Sequence, residues 1–207
     1  MRMAGLIVGL GNPGKEYDQT RHNMGFMAVD RFMDDARRFS SDACASVSGG
    51  KNGVKGKFLL WKCFLANART SWLVAKPQTY MNLSGEAVRH ICDFHSIAPD
   101  QILVVHDELD LPLGRIKFKS GGGLAGHNGL KSIAQHLGTR DFHRLRIGIG
   151  KPEHGDTVNY VLGRFSTAEQ PVLKTVLDES VQGMVAFTEQ GAEEAMRVIN
   201  ALSSIAR

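Results

Sequence analysis

Cysteine is nearly absent from the chain. Its three residues, Cys44, Cys63 and Cys92, are an odd number without CxxC spacing, which argues against a disulfide framework or a thiolate metal site and predicts reduced, structural thiols. Long apolar runs are missing as well. None approaches the roughly 20 residues needed to span a bilayer, and the apolar stretch in MRMAGLIVGLGNPG is too short before its glycines and proline for a secretory signal. The expectation is a cytoplasmic protein with no membrane partner. Familiar catalytic signatures are also lacking. There is no GxSxG elbow for a serine nucleophile, and no HExxH or other metal pattern among the eight histidines, so neither a metal nor a cofactor is expected. Cys92-x-x-His95 is the nearest ligand pair, and its spacing fits packing along one helix.

What is present fits an ordinary globular chain. Charged residues are 22% and hydrophobic residues 43% of the sequence, which excludes a disordered or fibrous protein. Its 207 residues suit one domain spanning 1–207 with a sizeable core. Acids are scarce in one region. Between Arg115 and Lys151 stand Arg115, Lys117, Lys119, Lys131, Arg140, Arg144, Arg146 and Lys151 against Asp141 alone, a composition that faces polyanions.

Periodicity assigns the elements. Helical spacing covers 24–38, and 40–57 reads as a loop with weak strand character. Aliphatic and aromatic runs at 58–66 and 72–75 form a hairpin or a pair of strands, and Pro77 ends the second of them. Ser84 caps a helix to about 96. Residues 102–105 form a buried strand that stops at the polar sequence His106-Asp-Glu-Leu-Asp110. Residues 116–119 alternate as an edge strand, 120–129 form a glycine-rich loop, and Asn128 opens a helix to about 137. A strand at 145–149 and two C-terminal helices from about 167 complete the chain. Strands alternating with helices place it in the α/β class, as a single domain with a twisted mixed sheet flanked by helices.

The stretch Gly9-Leu-Gly-Asn-Pro-Gly14 follows the apolar run Leu6-Ile-Val8 and nearly matches two phosphate-binding motifs. Both fail. A P-loop needs Ser or Thr after its lysine where Glu16 stands, and Pro13 removes an N–H donor. A dinucleotide fingerprint needs an acidic residue closing a second strand about 20 residues on, where the spacing here is helical. The turn reads instead as one wall of a site at the carboxyl end of a central strand.

Further loops after strands carry residues of a similar kind: Asn12, His22, Asn82, Asp107 and Asn128. Side-chain amides beside one imidazole and one carboxylate suit a site that orients a substrate and activates water. Asp107 would accept Nδ1–H from His22 while Nε2 takes a proton from water.

Four blocks together resemble the bacterial-type peptidyl-tRNA hydrolases: Gly9-Leu-Gly-Asn-Pro-Gly14 with Tyr17-x-x-Thr-Arg-His-Asn23, Tyr80-Met-Asn-Leu-Ser-Gly85, His106-Asp-Glu-Leu-Asp110, and Gly121-Gly-Gly with Gly126-His-Asn-Gly129. The resemblance implies cleavage of the ester joining a peptide to the 3′-terminal ribose of tRNA by a monomer. It implies His22 as base with Asp107 as its partner, and Asn12, Asn82 and Asn128 as groups holding the peptide and the reacting carbonyl, with Tyr17 and Met81 lining the site. It places a tRNA phosphate at Lys117, Lys119 and Arg146, inside the basic run. Ala125 departs from the family's usual glycine and is expected to stiffen its loop. The alternative of another class is an RNA-binding protein on the same scaffold without catalysis.

Overall fold

In a computed structural model that describes residues 3–39, 44–47, 58–65, 70–152 and 156–205, the strands are β1 (Gly5–Gly9), β2 (Cys44–Val47), β3 (Phe58–Leu65), β4 (Thr70–Pro77), β5 (Ile102–Glu108), β6 (Ile116–Ser120) and β7 (His143–Gly148). They form one mixed sheet in the order β2-β3-β4-β1-β5-β7-β6. The central four are mutually parallel, while β2, β3 and β6 run antiparallel to their neighbours. The helices are α1 (Met24–Phe39), α2 (Ser84–His95), α3 (Asn128–Leu137), α4 (Thr157–Leu162), α5 (Gln170–Gln190) and α6 (Ala192–Ile205).

Alternation along the central strands sends side chains to two cores. Ile7, Leu103, Val105, Leu145 and Ile147 pack under α1, α5 and α6, through Phe32, Val176 and Ile199 among others. Leu6, Val8, Ile102 and Val104 pack on the opposite face under α2 and α3, through Ile91, Leu130 and Ile133. A strand buried on both faces has to be apolar throughout, which is why β1 and the start of β5 are legible as short unbroken runs. Each fully buried aliphatic or aromatic side chain stabilises the fold by about 1.5–3 kcal/mol relative to exposure.

The expected class, the hairpin of β3 and β4, the edge position of β6 and the long helices are all observed, with four differences. First, β5 does not stop at Val105. Its parallel register with β7 continues through His106↔Arg146, Asp107↔Ile147 and Glu108↔Gly148, with both buried carboxylates partnered, Asp107 by His22 and His127 and Glu108 by Arg146. Second, Cys44 and Cys63 are not free thiols: they are cross-strand partners of β2 and β3 and are joined as a disulfide, while Cys92 is a buried thiol. The pairing depends on the register of two strands, which spacing in the sequence does not reveal. Third, part of the 40–57 stretch is a strand, β2; residues 40–43 and 48–57 lie outside the described residues. Fourth, α4 has no counterpart among the expected elements, and Ser84 is the first residue of its helix rather than its cap, whereas Asn128 opens α3 as expected. The Ser84 hydroxyl donates to the Met81 carbonyl at 2.9 Å.

Gly25 sets how closely the start of α1 approaches the sheet. A Cβ there would lie 2.2 Å from the Val105 carbonyl oxygen and 2.4 Å from the Leu10 nitrogen, and backbone cannot give way as a flexible side chain can. Gly25→Ala is expected to cost roughly 1–3 kcal/mol by overpacking, a Tm loss of roughly 2–12 °C in a chain of this size. An unchanged melting temperature by calorimetry would contradict this account of the α1 seat.

Candidate active site

The C-terminal ends of β1, β4 and β5 gather the chemistry. After β1 the chain turns through Asn12, and the side-chain amide of Asn23 clamps that turn as a strand partner would. Asn12 N–H donates to Asn23 Oδ1 at 2.8 Å, and Asn23 Nδ2 donates to the Asn12 carbonyl at 3.0 Å. Asn12 Oδ1 in turn accepts the Met81 N–H at 2.8 Å, so one amide ties the loop after β1 to the loop after β4. Met81 is buried, its sulfur against Gly129 at the start of α3, where a Cβ would come within 2.6 Å of Sδ.

His22 lies in a single 3-10 turn, Arg21–Asn23, immediately before α1. Its Nδ1 lies 3.0 and 3.1 Å from the two oxygens of Asp107, which leaves Nε2 as the remaining ring nitrogen. Asp107 is buried at 3% exposure and receives a second imidazole: His127 Nε2 lies 3.1 Å from its Oδ1. The tautomer of His127 is fixed by its other nitrogen. Nδ1 caps α3, accepting the Gly129 and Leu130 N–H groups at 3.2 and 3.4 Å, so the proton sits on Nε2 and is donated to Asp107.

These contacts explain the electrostatics. Burial alone would raise the Asp107 pKa, but the neighbouring charges and hydrogen bonds of His22 and His127 outweigh it and hold the carboxyl well below its usual range. Burial pulls His22 down, yet the charge and hydrogen bond of Asp107 prevail and its pKa is raised above 6.5. His106 is different. It is completely buried, its Nδ1 lies 2.6 Å from the Asp107 carbonyl oxygen, its ring stands edge-on to His127 at 4.9 Å, and burial followed by His127 pushes its pKa down to about 3.

His22, Asp107 and His127 offer three donor atoms close enough to share a cation. The cap argues against it. Nε2 of His127 would have to give up its proton to a metal while Nδ1 took one up against two converging N–H groups of α3.

A cleft of about 310 Å³ opens beside this cluster, lined by His22, Asp107, Glu108, His127, Asn128 and by Thr157, Val158 and Val161 of α4. Among the residues expected from sequence, His22, Asp107 and Asn128 line this cleft together. Asn12, Met81, Asn82 and Tyr17 do not: Asn82 is exposed on the neighbouring turn Met81–Leu83, and Tyr17 is half-buried at the end of the turn Lys15–Tyr17. Ala125, on the cleft wall, adopts φ 48°, a left-handed conformation in which glycine is at ease and alanine is strained.

The expected phosphate-binding residues share one sheet face by alternation. Lys117 stands opposite Arg146 and Lys119 opposite Arg144 across β6 and β7, on the face away from Ile116, Phe118, Leu145 and Ile147. Arg146 Nε donates to Glu108 Oε2 at 2.9 Å, and Lys151 pairs with Asp110 at 2.5 Å, so the basic run is partly neutralised by acids from β5 and the turn after it. Lys117 and Lys119 form no ion pair among the described residues. Arg144 is buried and turns inward to hold the glycine-rich loop, donating through Nη1 to the Gly123 carbonyl at 2.5 Å and through Nη2 to that of Gly121. Sequence reasoning missed His127, Glu108 and this role of Arg144. His127 and Glu108 both stand within the motif blocks, Gly126-His-Asn-Gly129 and His106-Asp-Glu-Leu-Asp110, and Arg144 stands in the basic run, but their partners are set by the fold.

The family model described as peptidyl-tRNA hydrolase matches residues 6–206. The peptidyl-tRNA hydrolase of Nitratidesulfovibrio vulgaris, strain Miyazaki F, is 60% identical over 202 residues, covering 97% of this chain and 98% of the relative. That of Oleidesulfovibrio alaskensis is 58% identical over 201 residues, again covering 97% and 98%. Among solved structures, the peptidyl-tRNA hydrolase of Acinetobacter baumannii matches with a TM-score of 0.82 and 37% identity, covering 97% of both chains.

In an NMR titration the His22 imidazole is expected to lose its proton above pH 6.5, and in Asp107→Asn at or below 6.5, since only burial then remains. An unshifted midpoint would show that Asp107 does not govern the ring. His106 works with the opposite sign. Its folded pKa is depressed, so the unfolded chain binds the extra proton and stability falls as pH drops from 6.5 toward about 3. His106→Leu should flatten that acid-side slope in urea unfolding by up to about 1.4 kcal/mol per pH unit, and an unaltered slope would count against it.

Proposed function

This chain belongs to the peptidyl-tRNA hydrolase family, and from that premise we propose that His22 is the general base of its ester hydrolysis, with Asp107 as the partner that fixes the ring. The enzyme hydrolyses peptidyl-tRNA. The observation that carries the finer reading is the doubly bonded pair, His22 Nδ1 at 3.0 and 3.1 Å from a buried Asp107 at the edge of the cleft.

With Nδ1–H committed to Asp107, Nε2 takes a proton from water as the water oxygen attacks the acyl carbon. The imidazolium that forms is stabilised by the carboxylate beside it. As the bond from the acyl carbon to the ribose oxygen breaks, the same Nε2–H protonates that oxygen. Peptide leaves as a carboxylic acid and tRNA with its terminal hydroxyl restored. Three amides serve a substrate of any sequence because they address the peptide main chain and the reacting carbonyl: Asn12 through its Nδ2, Asn82 from the exposed turn after β4, and Asn128 from the first turn of α3. Tyr17 and Met81 complete the substrate-binding wall, Met81 by packing beneath Gly129.

Lys117, Lys119 and Arg146 bind a tRNA phosphate on the sheet face beside the cleft. Glu108 supports this role by holding Arg146 through Nε, which leaves its terminal nitrogens for a bidentate phosphate contact. Contacts of this kind give affinity without reading sequence, as an enzyme accepting many tRNAs requires. All these groups come from one chain, which supports a working monomer. The reaction on peptidyl-tRNA supports action in the cytoplasm, and among the described residues no helix is long and apolar enough to cross a membrane.

His22→Ala is expected to lower turnover of a purified peptidyl-tRNA by roughly 10²–10⁴-fold while tRNA binding is retained. Hydrolysis at the wild-type rate would end the proposal, and a wild-type protein that binds tRNA but releases none would favour the catalytically silent binder. Lys117→Ala combined with Arg146→Ala should reduce the slope of log affinity against log salt by about 1. An unaltered slope would remove the phosphate site.

A further inference from the structure

The residue next to His22 is held by a different part of the chain from His22 itself. Thr20 forms an isolated bridge with Arg164, and the Arg21 N–H donates to the Gly163 carbonyl at 2.9 Å. The Arg21 side chain then runs back over the same segment. Its guanidinium carbon lies 4.6 Å from the ring centroids of both Tyr160 and Phe165, and its Nη2 is 2.9 Å from Glu169 Oε2. The far ends of this cradle are fixed as well. The Tyr160 hydroxyl donates to the Ile149 carbonyl at 2.6 Å, and Glu169 Oε2 also accepts the Ser166 N–H at 2.7 Å.

Arg21 is buried and its Nη1 has no hydrogen-bond partner among the described residues. A guanidinium retains its charge in such a place because two aromatic faces and one carboxylate attract it, and because it is more weakly hydrated than an ammonium. A lysine can keep the ion pair but cannot lie flat against both rings.

The consequence lies in the turn Arg21–Asn23. It is a single 3-10 turn, so its three side chains move together. His22 reaches Asp107, Asn23 clamps Asn12, and Arg21 grips the segment whose helix, α4, places Thr157, Val158 and Val161 along the cleft. We propose that Arg21 is a positioning residue that fixes the α4 wall of the cleft to the turn carrying His22, so that the seat of the wall and the aim of the imidazole are set together. This rests on the reading of His22 as the base. The charged and titratable groups facing His22 are Asp107 and His127; Arg21 acts on it through the backbone and not through charge.

The test uses the full chain as Arg21→Lys, Arg21→Met and Phe165→Leu, beside wild type. Hydrogen exchange of the α4 amides is expected to quicken in all three. The His22 imidazole titration should move down toward 6.5 as its contact with Asp107 loosens, and kcat should fall by roughly 10- to 100-fold, with Arg21→Lys between wild type and Arg21→Met. A lowered Tm with kcat and the His22 titration both unchanged would overturn the proposal and leave Arg21 as a stabiliser only. Should Arg21→Met fail to fold, the other two variants decide. The exchange and titration readouts do not depend on turnover, so loss of the general-base reading through an active His22→Ala would be told apart from loss of this coupling.

Discussion

A carboxylate buried at the end of a parallel strand is costly unless donors converge on it, and the arrangement around Asp107 answers that requirement with two imidazoles. His127 is committed to Asp107 by the amides of α3 that occupy its other nitrogen, and His22 supplies the second donor. The rest of the site follows from this. Strand β5 must extend as far as Glu108 to deliver the acid, the glycine-rich loop must return so that α3 begins beside it, and α1 must sit close enough on Leu10 and Val105 for His22 to reach it. Glycine at position 25 meets that last condition.

The two faces of the sheet divide the work. Alternation along β5 puts Asp107 on the α1 side, while Glu108 lies on the side shared with Arg146, Arg144, Lys117 and Lys119. The acid paired with His22 and the acid paired with Arg146 are therefore consecutive residues, separated by one rigid peptide unit. Under the proposed roles, proton transfer and phosphate binding would be separable by mutation while the two acids keep a fixed register.

Much of this was legible in the sequence because several demands coincide there. Leu6-Ile-Val8 and Ile102-Leu-Val-Val105 are apolar without interruption because both of their faces are covered. The motif residues His22 and Asp107 were readable as a pair by chemical type, since an imidazole needs an acid to fix its tautomer. Other features depend on register or on distant partners, which a linear pattern does not carry. Apolar periodicity ends at Val105, although the backbone ladder runs three residues further, where Asp107 meets His22 and His127 and Glu108 meets Arg146, groups elsewhere in the chain. The bond between Cys44 and Cys63, 19 residues apart, exists because β2 and β3 pair in one register and not another. Likewise the pairing of Arg146 with Glu108, 38 residues away, is not written in the run of cations around it. Arg144 and Arg146 are two positions apart with the same side chain, and one grips the glycine-rich loop from within while the other pairs with Glu108.

The central claim is that a buried, ionised Asp107 makes His22 a competent base, and the pH dependence of kcat/KM for peptidyl-tRNA cleavage tests it most directly when wild type and Asp107→Asn are compared. The account predicts a wild-type rate that climbs through a midpoint above 6.5, and a variant whose midpoint moves lower while its plateau drops by roughly 10²–10⁴-fold. Two superimposable curves would contradict it.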